Sequence, residues 1–215
     1  AMFLTDLHLQ TNTQVQVLAD THLHADDVAT FTAWQHAVLG SQADAIIFLG
    51  DIFEVWVGDD WGLQDPFALK CAGVLRQASA TRGLYFMHGN RDFLAGPAFL
   101  THCGITGLAD PTVLVFGGQR WVLSHGDLLC LDDVDYQRFR VQARSAEWQQ
   151  QFLAQPLATR RAQARGIRQE SEARKQSGAT YADVDGPAAT AWLQAAGAHT
   201  LVHGHTHKPA SHPLA

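Results

Sequence analysis

Ala45-Ile46-Ile47-Phe48-Leu49-Gly50-Asp51 is the stretch from which the fold of this chain can be read. A short apolar, β-rich run stops at a glycine and is followed at once by a carboxylate, the pattern of a strand with a polar residue at its carboxyl end. Runs of the same kind recur at Gln14–Ala19, Gly83–Met87, Thr112–Phe116, Arg120–Ser124 and Thr200–Val202. Val28–Leu39, with Phe31, Trp34, Val38 and Leu39 at helical spacing, precedes the quoted run, and Pro66–Ala80, opened by a proline, follows it. Strand, helix, strand predicts parallel pairs with right-handed crossovers. Thr112–Ser124 predicts a β-hairpin about Gly117-Gly118. The expected fold is α/β, a two-sheet β core flanked by helices, because 215 residues are few for a barrel of eight repeats.

Composition narrows the class of protein. At 47% hydrophobic and 17% charged, residues 1–215 suit one domain with a substantial core. The longest apolar stretches fall well short of the roughly 18 residues that a membrane span needs. No basic segment with an apolar run behind it opens the sequence, so no export signal is expected. Cys71, Cys103 and Cys130 are odd in number and widely spaced, which predicts reduced thiols in a cytoplasmic protein. The net charge of -6 conceals an asymmetry: 134–176 holds nine of the fifteen Lys+Arg and four of the twenty-one Asp+Glu, so it is +5 and the remainder -11. An acidic body would repel a polyanion, so no nucleic-acid partner is expected; the basic segment suits a smaller anionic ligand or an anionic membrane surface. No protein partner is evident.

That basic segment lies within Asp133–Tyr181, nearly fifty residues without a strand signal. Phe139, Ala143, Trp148 and Phe152 predict one helix, Pro156 ends it, and Thr159–Lys175 predicts an Arg-rich second helix. Two readings stand: a solvated helical pair packed on the sheet, or a helical lid over an active site at about 133–181. The aromatic residues, with Leu153 and Leu157, would line a cleft or form the insertion's own small core.

The residues after the apolar runs carry the chemistry: Asp20-Thr21-His22, Gly50-Asp51, Gly89-Asn90-Arg91-Asp92, His125-Gly126-Asp127 and Gly204-His205-Thr206-His207. Strand ends converge at one edge of an open α/β sheet, so five such ends would meet in one crevice. Two carboxylates, an amide oxygen and four imidazoles are enough for two adjacent ions. The mix of oxygen and nitrogen without thiolate suits Mn²⁺, Fe²⁺, Co²⁺ or Zn²⁺ in a catalytic site, and two such ions suit attack on phosphorus.

These motifs, in this order, resemble those of the calcineurin-like metallophosphoesterases. Two longer strings, Gly50-Asp51-Ile52-Phe53-Glu54-Val55-Trp56-Val57-Gly58-Asp59-Asp60 and Gly89-Asn90-Arg91-Asp92-Phe93-Leu94, are similar to the branch that splits the diphosphate of UDP-2,3-diacylglucosamine in lipid A synthesis. The resemblance implies a diphosphatase using a two-metal-activated hydroxide, with Mn²⁺ the expected metal. Asp20, His22 and His207 would hold one ion, Asn90, His125 and His205 the other, and Asp51 would bridge them. Asp51, Asn90 and Arg91 would be catalytic. Asn90, Arg91, Asp133, Tyr136, Arg168, Ser171, Lys175 and His205 would bind the amphiphilic substrate. It also implies a cytoplasmic protein in weak peripheral contact with the inner membrane.

Asp6-Leu7-His8 fits the opening motif as well. Asp20 and His22 are preferred because a strand-helix-strand unit fits between Asp20 and Asp51. Phe3–Leu9 is expected to fold back antiparallel on Gln14–Ala19 with Asp6 opposite Val17 or Leu18, roughly 10 Å down the strand, leaving Asp6 structural. Where the wider family commonly has a histidine after the asparagine, this chain has Arg91. Arginine, with a pKa above ~12, is no general acid near neutrality; it stabilises anionic charge, which favours a leaving group that departs as an anion. In a blander role, Arg91 merely pairs with Asp92 or Asp59. Asp20-Thr21-His22-Leu23-His24 also resembles the opening of barrel-type amidohydrolases, and His22–Asp27 a metallo-β-lactamase string; either would make His24 a ligand. The motifs also leave room for a generic nucleotide-sugar diphosphatase or a non-catalytic scaffold of the same fold.

Overall fold

The computed structural model describes residues 4–176 and 183–214, the side chains at 174–176 excepted. Its elements are β1 (Thr5–His8), β2 (Val15–Leu18), α1 (Val28–Leu39), β3 (Ala45–Phe48), α2 (Asp59–Gly62), α3 (Pro66–Ser79), β4 (Gly83–Met87), α4 (Pro97–Cys103), β5 (Thr106–Leu108), β6 (Thr112–Phe116), β7 (Gln119–Ser124), α5 (Val134–Ala143), α6 (Ala146–Leu153), α7 (Leu157–Gln176), α8 (Gly186–Ala196) and β8 (Thr200–His203). One sheet has the order β2-β3-β4-β5 with every pair parallel. The other has the order β1-β6-β7-β8, in which only β6 and β7 are antiparallel.

Strand alternation sets the layers, because successive side chains point to opposite faces. Ile46 and Phe48 of β3 pack with Phe31 and Trp34 of α1 and Leu75 of α3. Ile47 and Leu49 turn the other way and meet Leu114 of β6 and Leu123 of β7 from the second sheet. The β3 run is uniformly apolar because both of its faces are covered. Each such side chain contributes about 1.5–3 kcal/mol by burial. The second sheet's outer face is covered by α8, where Trp192, Leu193 and Ala196 lie against Val113 and Val122. The result is four layers, helices, sheet, sheet and helix, and the two-sheet α/β core expected from the sequence is present.

The Gly117-Gly118 hairpin and the parallel β2-β3-β4 pairing also match the sequence pattern. The placement of β1 does not. Rather than folding back on β2, it crosses to the other sheet and pairs in parallel with β6, Asp6 against Val113. The connection Gln10-Thr11-Asn12-Thr13 has no glycine for a tight primed turn that would keep both strands in one sheet. Its turn closes with a Thr13 N–H to Gln10 carbonyl bond at 3.0 Å, while Leu7 and Leu9 reach the inter-sheet core from the second sheet. Asp6 pairs with Arg120 of β7 at 3.2 Å.

The helix expected through Phe139–Phe152 is two helices, α5 and α6. Ser145 explains the break, because it N-caps α6 by accepting from the Trp148 N–H at 3.2 Å. Trp148 stacks on Phe152 with ring centroids 4.9 Å apart, and Phe152 belongs to the main core. These two aromatics fasten α6 to the core. Arg160 anchors the start of α7: only 3% exposed, it donates to the Val57 carbonyl at 2.6 Å and pairs with Asp60. Among the described residues no helix is long and apolar enough to cross a membrane.

Candidate metal centre

Each motif begins where a strand ends: Asp20 after β2, Asp51 after β3, Asn90 after β4, His125 after β7 and His205 after β8. Asp20, His22, Asp51, His205 and His207 have positive φ, between 45° and 71°, and are the non-glycine residues so placed among the described residues. Left-handed backbone at such residues costs about 1 kcal/mol each and collects where function requires it. Two glycines make room. A Cβ on Gly50, at φ +86°, would lie 2.6 Å from the Gly89 Cα, and one on Gly89 would lie 2.0 Å from Asp51 Oδ1. The glycines of the Gly-Asp and Gly-Asn motifs therefore let two strand ends touch.

The side chains meet as two adjacent groups. Ligand atoms of Asp20, His22 and His207 lie within 4.8 Å of one another, and so do those of Asp51, His125 and His205. Asn90 Oδ1 joins the second group, 3.0 Å from His125 Nε2 and 2.9 Å from His205 Nδ1. Asp51 stands between: Oδ1 accepts the Arg91 N–H at 2.8 Å, while Oδ2 lies 3.6 Å from both His22 Nε2 and His125 Nε2.

The donor set fits a pair of divalent cations on three counts. His125 Nδ1 lies 2.7 Å from the Leu49 carbonyl, which only accepts, so Nδ1 carries a hydrogen and the ring, once its other nitrogen gives up a proton to make way for a cation, turns its Nε2 lone pair toward the oxygens of Asn90 and Asp51. His22 Nδ1 lies 2.9 Å from Glu54 Oε2, so its Nε2 likewise faces inward. Finally, Asp20 Oδ1 is buried without a hydrogen-bond partner. Lone pairs converging from several residues are what a cation satisfies and what a hydrogen-bonded core avoids.

Neighbouring charge tunes these groups. Burial pushes Asp51 up to about 6, partly opposed by His125. For His125 burial alone would depress the imidazole, but the carboxylates of Asp51, Asp127 and Asp20 outweigh it and raise it to about 9. His22 is raised against its burial by the Glu54 hydrogen bond and the Asp51 charge.

Several supports escaped sequence reasoning. Asp92 is fully buried and accepts the N–H groups of Asp51, Ile52 and Gly89 at 3.2, 2.8 and 2.9 Å, fixing both turns. Asp127, also fully buried, takes Arg140 Nε at 2.7 Å and the Tyr136 hydroxyl; against its burial, His125 and Arg140 hold its carboxyl far below the ordinary range. Arg144 donates to the Gly89 carbonyl at 2.9 Å. The signal for Asp92 and Glu54 was their place inside the long strings; Asp127 followed a candidate histidine.

Arg91 pairs with neither Asp92, which is taken up by backbone amides, nor Asp59, which accepts from Gly96 and Phe99 N–H groups. Its guanidinium instead lies 3.5 Å from Glu54. Tyr136 stacks on His205 with centroids 6.0 Å apart. Arg168 reaches Glu54 Oε1 at 3.2 Å, so this part of α7 lies beside the centre. Asp133 N-caps α5, and Ser171 is half-buried on α7. The Lys175 side chain and Tyr181 lie outside the described residues. His24 belongs to neither group of converging ligand atoms.

Two stacked sheets whose strand ends gather such a donor set define a class of phosphoesterase. The chain belongs to the calcineurin-like phosphoesterase family, whose model matches residues 2–209. Its relatives carry a more particular name. A UDP-2,3-diacylglucosamine hydrolase of Chromobacterium violaceum is 44% identical over 212 residues, covering 98% of this chain and 84% of that protein. Proteins of the same name from Chromohalobacter salexigens and Cellvibrio japonicus are 41% and 39% identical, covering 91% and 92% of this chain and 80% and 83% of theirs.

Proposed function

We propose that this protein hydrolyses the diphosphate bond of UDP-2,3-diacylglucosamine, releasing UMP and 2,3-diacylglucosamine 1-phosphate. The observation that carries this is the guanidinium of Arg91 held at the edge of the paired donor groups by Glu54. A cation that cannot give up a proton serves a leaving group that departs as an anion, as a sugar phosphate does from an anhydride.

Asp20, His22 and His207 would hold one divalent ion and Asn90, His125 and His205 the other, with Asp51 shared; Mn²⁺ is the metal we expect. When bound, two such ions would supply Lewis-acid neutralisation of phosphoryl charge and would lower the pKa of water enough that it sheds a proton to solvent and becomes a nucleophile near neutral pH. The protein's part is position. Glu54 and the Leu49 carbonyl fix the tautomers of His22 and His125. The Arg91 N–H holds one oxygen of Asp51 so that the other faces the centre. Asn90 and His205 flank the phosphoryl group, and Arg91 meets its charge.

The helices α5–α7, within 133–181, act as a lid in this reading. Arg168 meets the diphosphate, with Asp133, Tyr136 and Ser171 around the sugar. Val134, Val141, Leu153 and Ile167 are exposed on these helices beside their arginines, as suits acyl chains drawn from an anionic bilayer and a weak, peripheral attachment to the cytoplasmic face of the inner membrane. A generic nucleotide-sugar diphosphatase is the competing reading.

The test is the rate on UDP-2,3-diacylglucosamine against UDP-N-acetylglucosamine at equal concentration, with products identified and with Arg168→Ala and Ser171→Ala alongside. Strong preference for the acylated substrate, lowered by either substitution, supports the proposal. Equal rates on both substrates favour the generic reading.

A further inference from the structure

Glu54 belongs to neither candidate ion, yet three working parts meet on it. Oε2 takes the Nδ1–H of His22 at 2.9 Å, while Oε1 lies 3.5 Å from Arg91 and 3.2 Å from Arg168. The three partners come from separate pieces of chain: the turn after β2, the turn after β4, and α7. The glutamate itself sits in the turn after β3, its side chain 11% exposed. Asp92 and Asp127 also support the centre, but they are spent on backbone amides or on α5.

We propose that Glu54 is the positioning residue that couples α7 to the metal centre, setting the His22 tautomer with one oxygen and holding Arg91 and Arg168 at the substrate's place with the other. This rests on the proposed roles of His22, Arg91 and Arg168.

The chemistry requires a carboxylate. An imidazole that donates from Nδ1 presents its Nε2 lone pair, and an anionic acceptor makes that nitrogen a better donor to a metal. Two guanidiniums at one point repel unless an anion lies between them. Glu54 supplies that anion before substrate arrives, so the arginines are gathered where a diphosphate needs them and less ordering is left to binding. Arg168 also has a second acceptor, Glu172, at 3.0 Å. It can therefore move from Glu54 to the substrate while one carboxylate still compensates its charge.

The experiment uses the full chain stripped of metal and titrated with Mn²⁺, free Mn²⁺ being read by electron paramagnetic resonance, for wild type, Glu54→Ala and Glu54→Gln; kcat and KM are measured separately at saturating Mn²⁺. Glu54→Ala should weaken one of two Mn²⁺ sites by about 10–100-fold and leave the other unchanged. Glu54→Gln keeps an oxygen to accept from His22 but cannot pair with the arginines. It should bind Mn²⁺ more tightly than Glu54→Ala but less tightly than wild type, since it fixes the tautomer without the anionic charge, while raising KM about tenfold, more than it lowers kcat. Two unchanged sites in Glu54→Ala, or wild-type kcat and KM in Glu54→Gln, would overturn the proposal. Should Glu54→Ala fail to fold, Glu54→Gln decides alone, by its KM. A wild-type chain that takes up fewer than two ions overturns the two-ion reading itself, and Glu54's role with it.

Discussion

Asp51 uses its two oxygens differently, one spent on the Arg91 N–H and the other facing His22 and His125. Asp51→Ala should therefore reduce turnover to background while the far-ultraviolet circular dichroism stays that of the wild type. Measurable activity in that variant would refute the shared-ligand role. Arg91 touches no candidate ligand atom through its side chain, so Arg91→Ala should lower kcat on the diphosphate by about 10²-fold and leave two Mn²⁺ per chain by elemental analysis. Loss of metal would show that the guanidinium is structural. Arg91→His, by supplying an acid, should raise hydrolysis of a chromogenic monoester relative to the diphosphate. At this scale much was legible, because the ligand types and their neighbouring glycines sit within a few residues of each strand end. Asp92 was not, since nothing local distinguishes an aspartate that accepts several backbone amides from one that faces solvent.

The helices between β7 and α8 depend on a few buried polar contacts. Arg160→Ala would leave the buried Val57 carbonyl without its donor, costing about 1–3 kcal/mol, readable as a lowered urea midpoint. Its partner Asp60 gives a pH test. The hydrogen bond from Arg160 lowers the Asp60 pKa, so the folded chain binds fewer protons there than the unfolded chain. That stabilisation is complete above the unfolded value of about 3.9 and is lost as pH falls through the lowered folded value. The melting-temperature gap between wild type and Asp60→Asn should hold steady from about pH 7 to 5 and close below about 4. A gap that widened in acid would contradict the assignment. The aromatic spacing showed that this segment is helical and apolar on one side. It did not show the break at Ser145, because a serine caps a helix only if the preceding turn has ended, and that depends on Trp148 docking beside Phe152.

Across the whole molecule the +5 segment of 134–176 stands against a remainder of -11. If the basic helices are the face that meets lipid, the protein should sediment with phosphatidylglycerol vesicles at about 50 mM salt, be released near 0.5 M as screening shortens to a few ångströms, and ignore phosphatidylcholine. Binding to both lipids alike would remove electrostatics from the account. What the sequence by itself determined is everything carried by local pattern: the apolar runs, the helices between them, the carboxylates and imidazoles at five strand ends, and the charge of the insertion. Tertiary structure decided the rest. A four-residue strand such as β1 has no pairing preference of its own, and only the open edge of β6 beside the inter-sheet core placed Asp6 away from the centre. Glu54 finds His22, Arg91 and Arg168, and Asp60 finds Arg160, across tens to more than a hundred residues of chain. Contacts at that separation are set by how the layers pack, and no periodicity in the sequence encodes them.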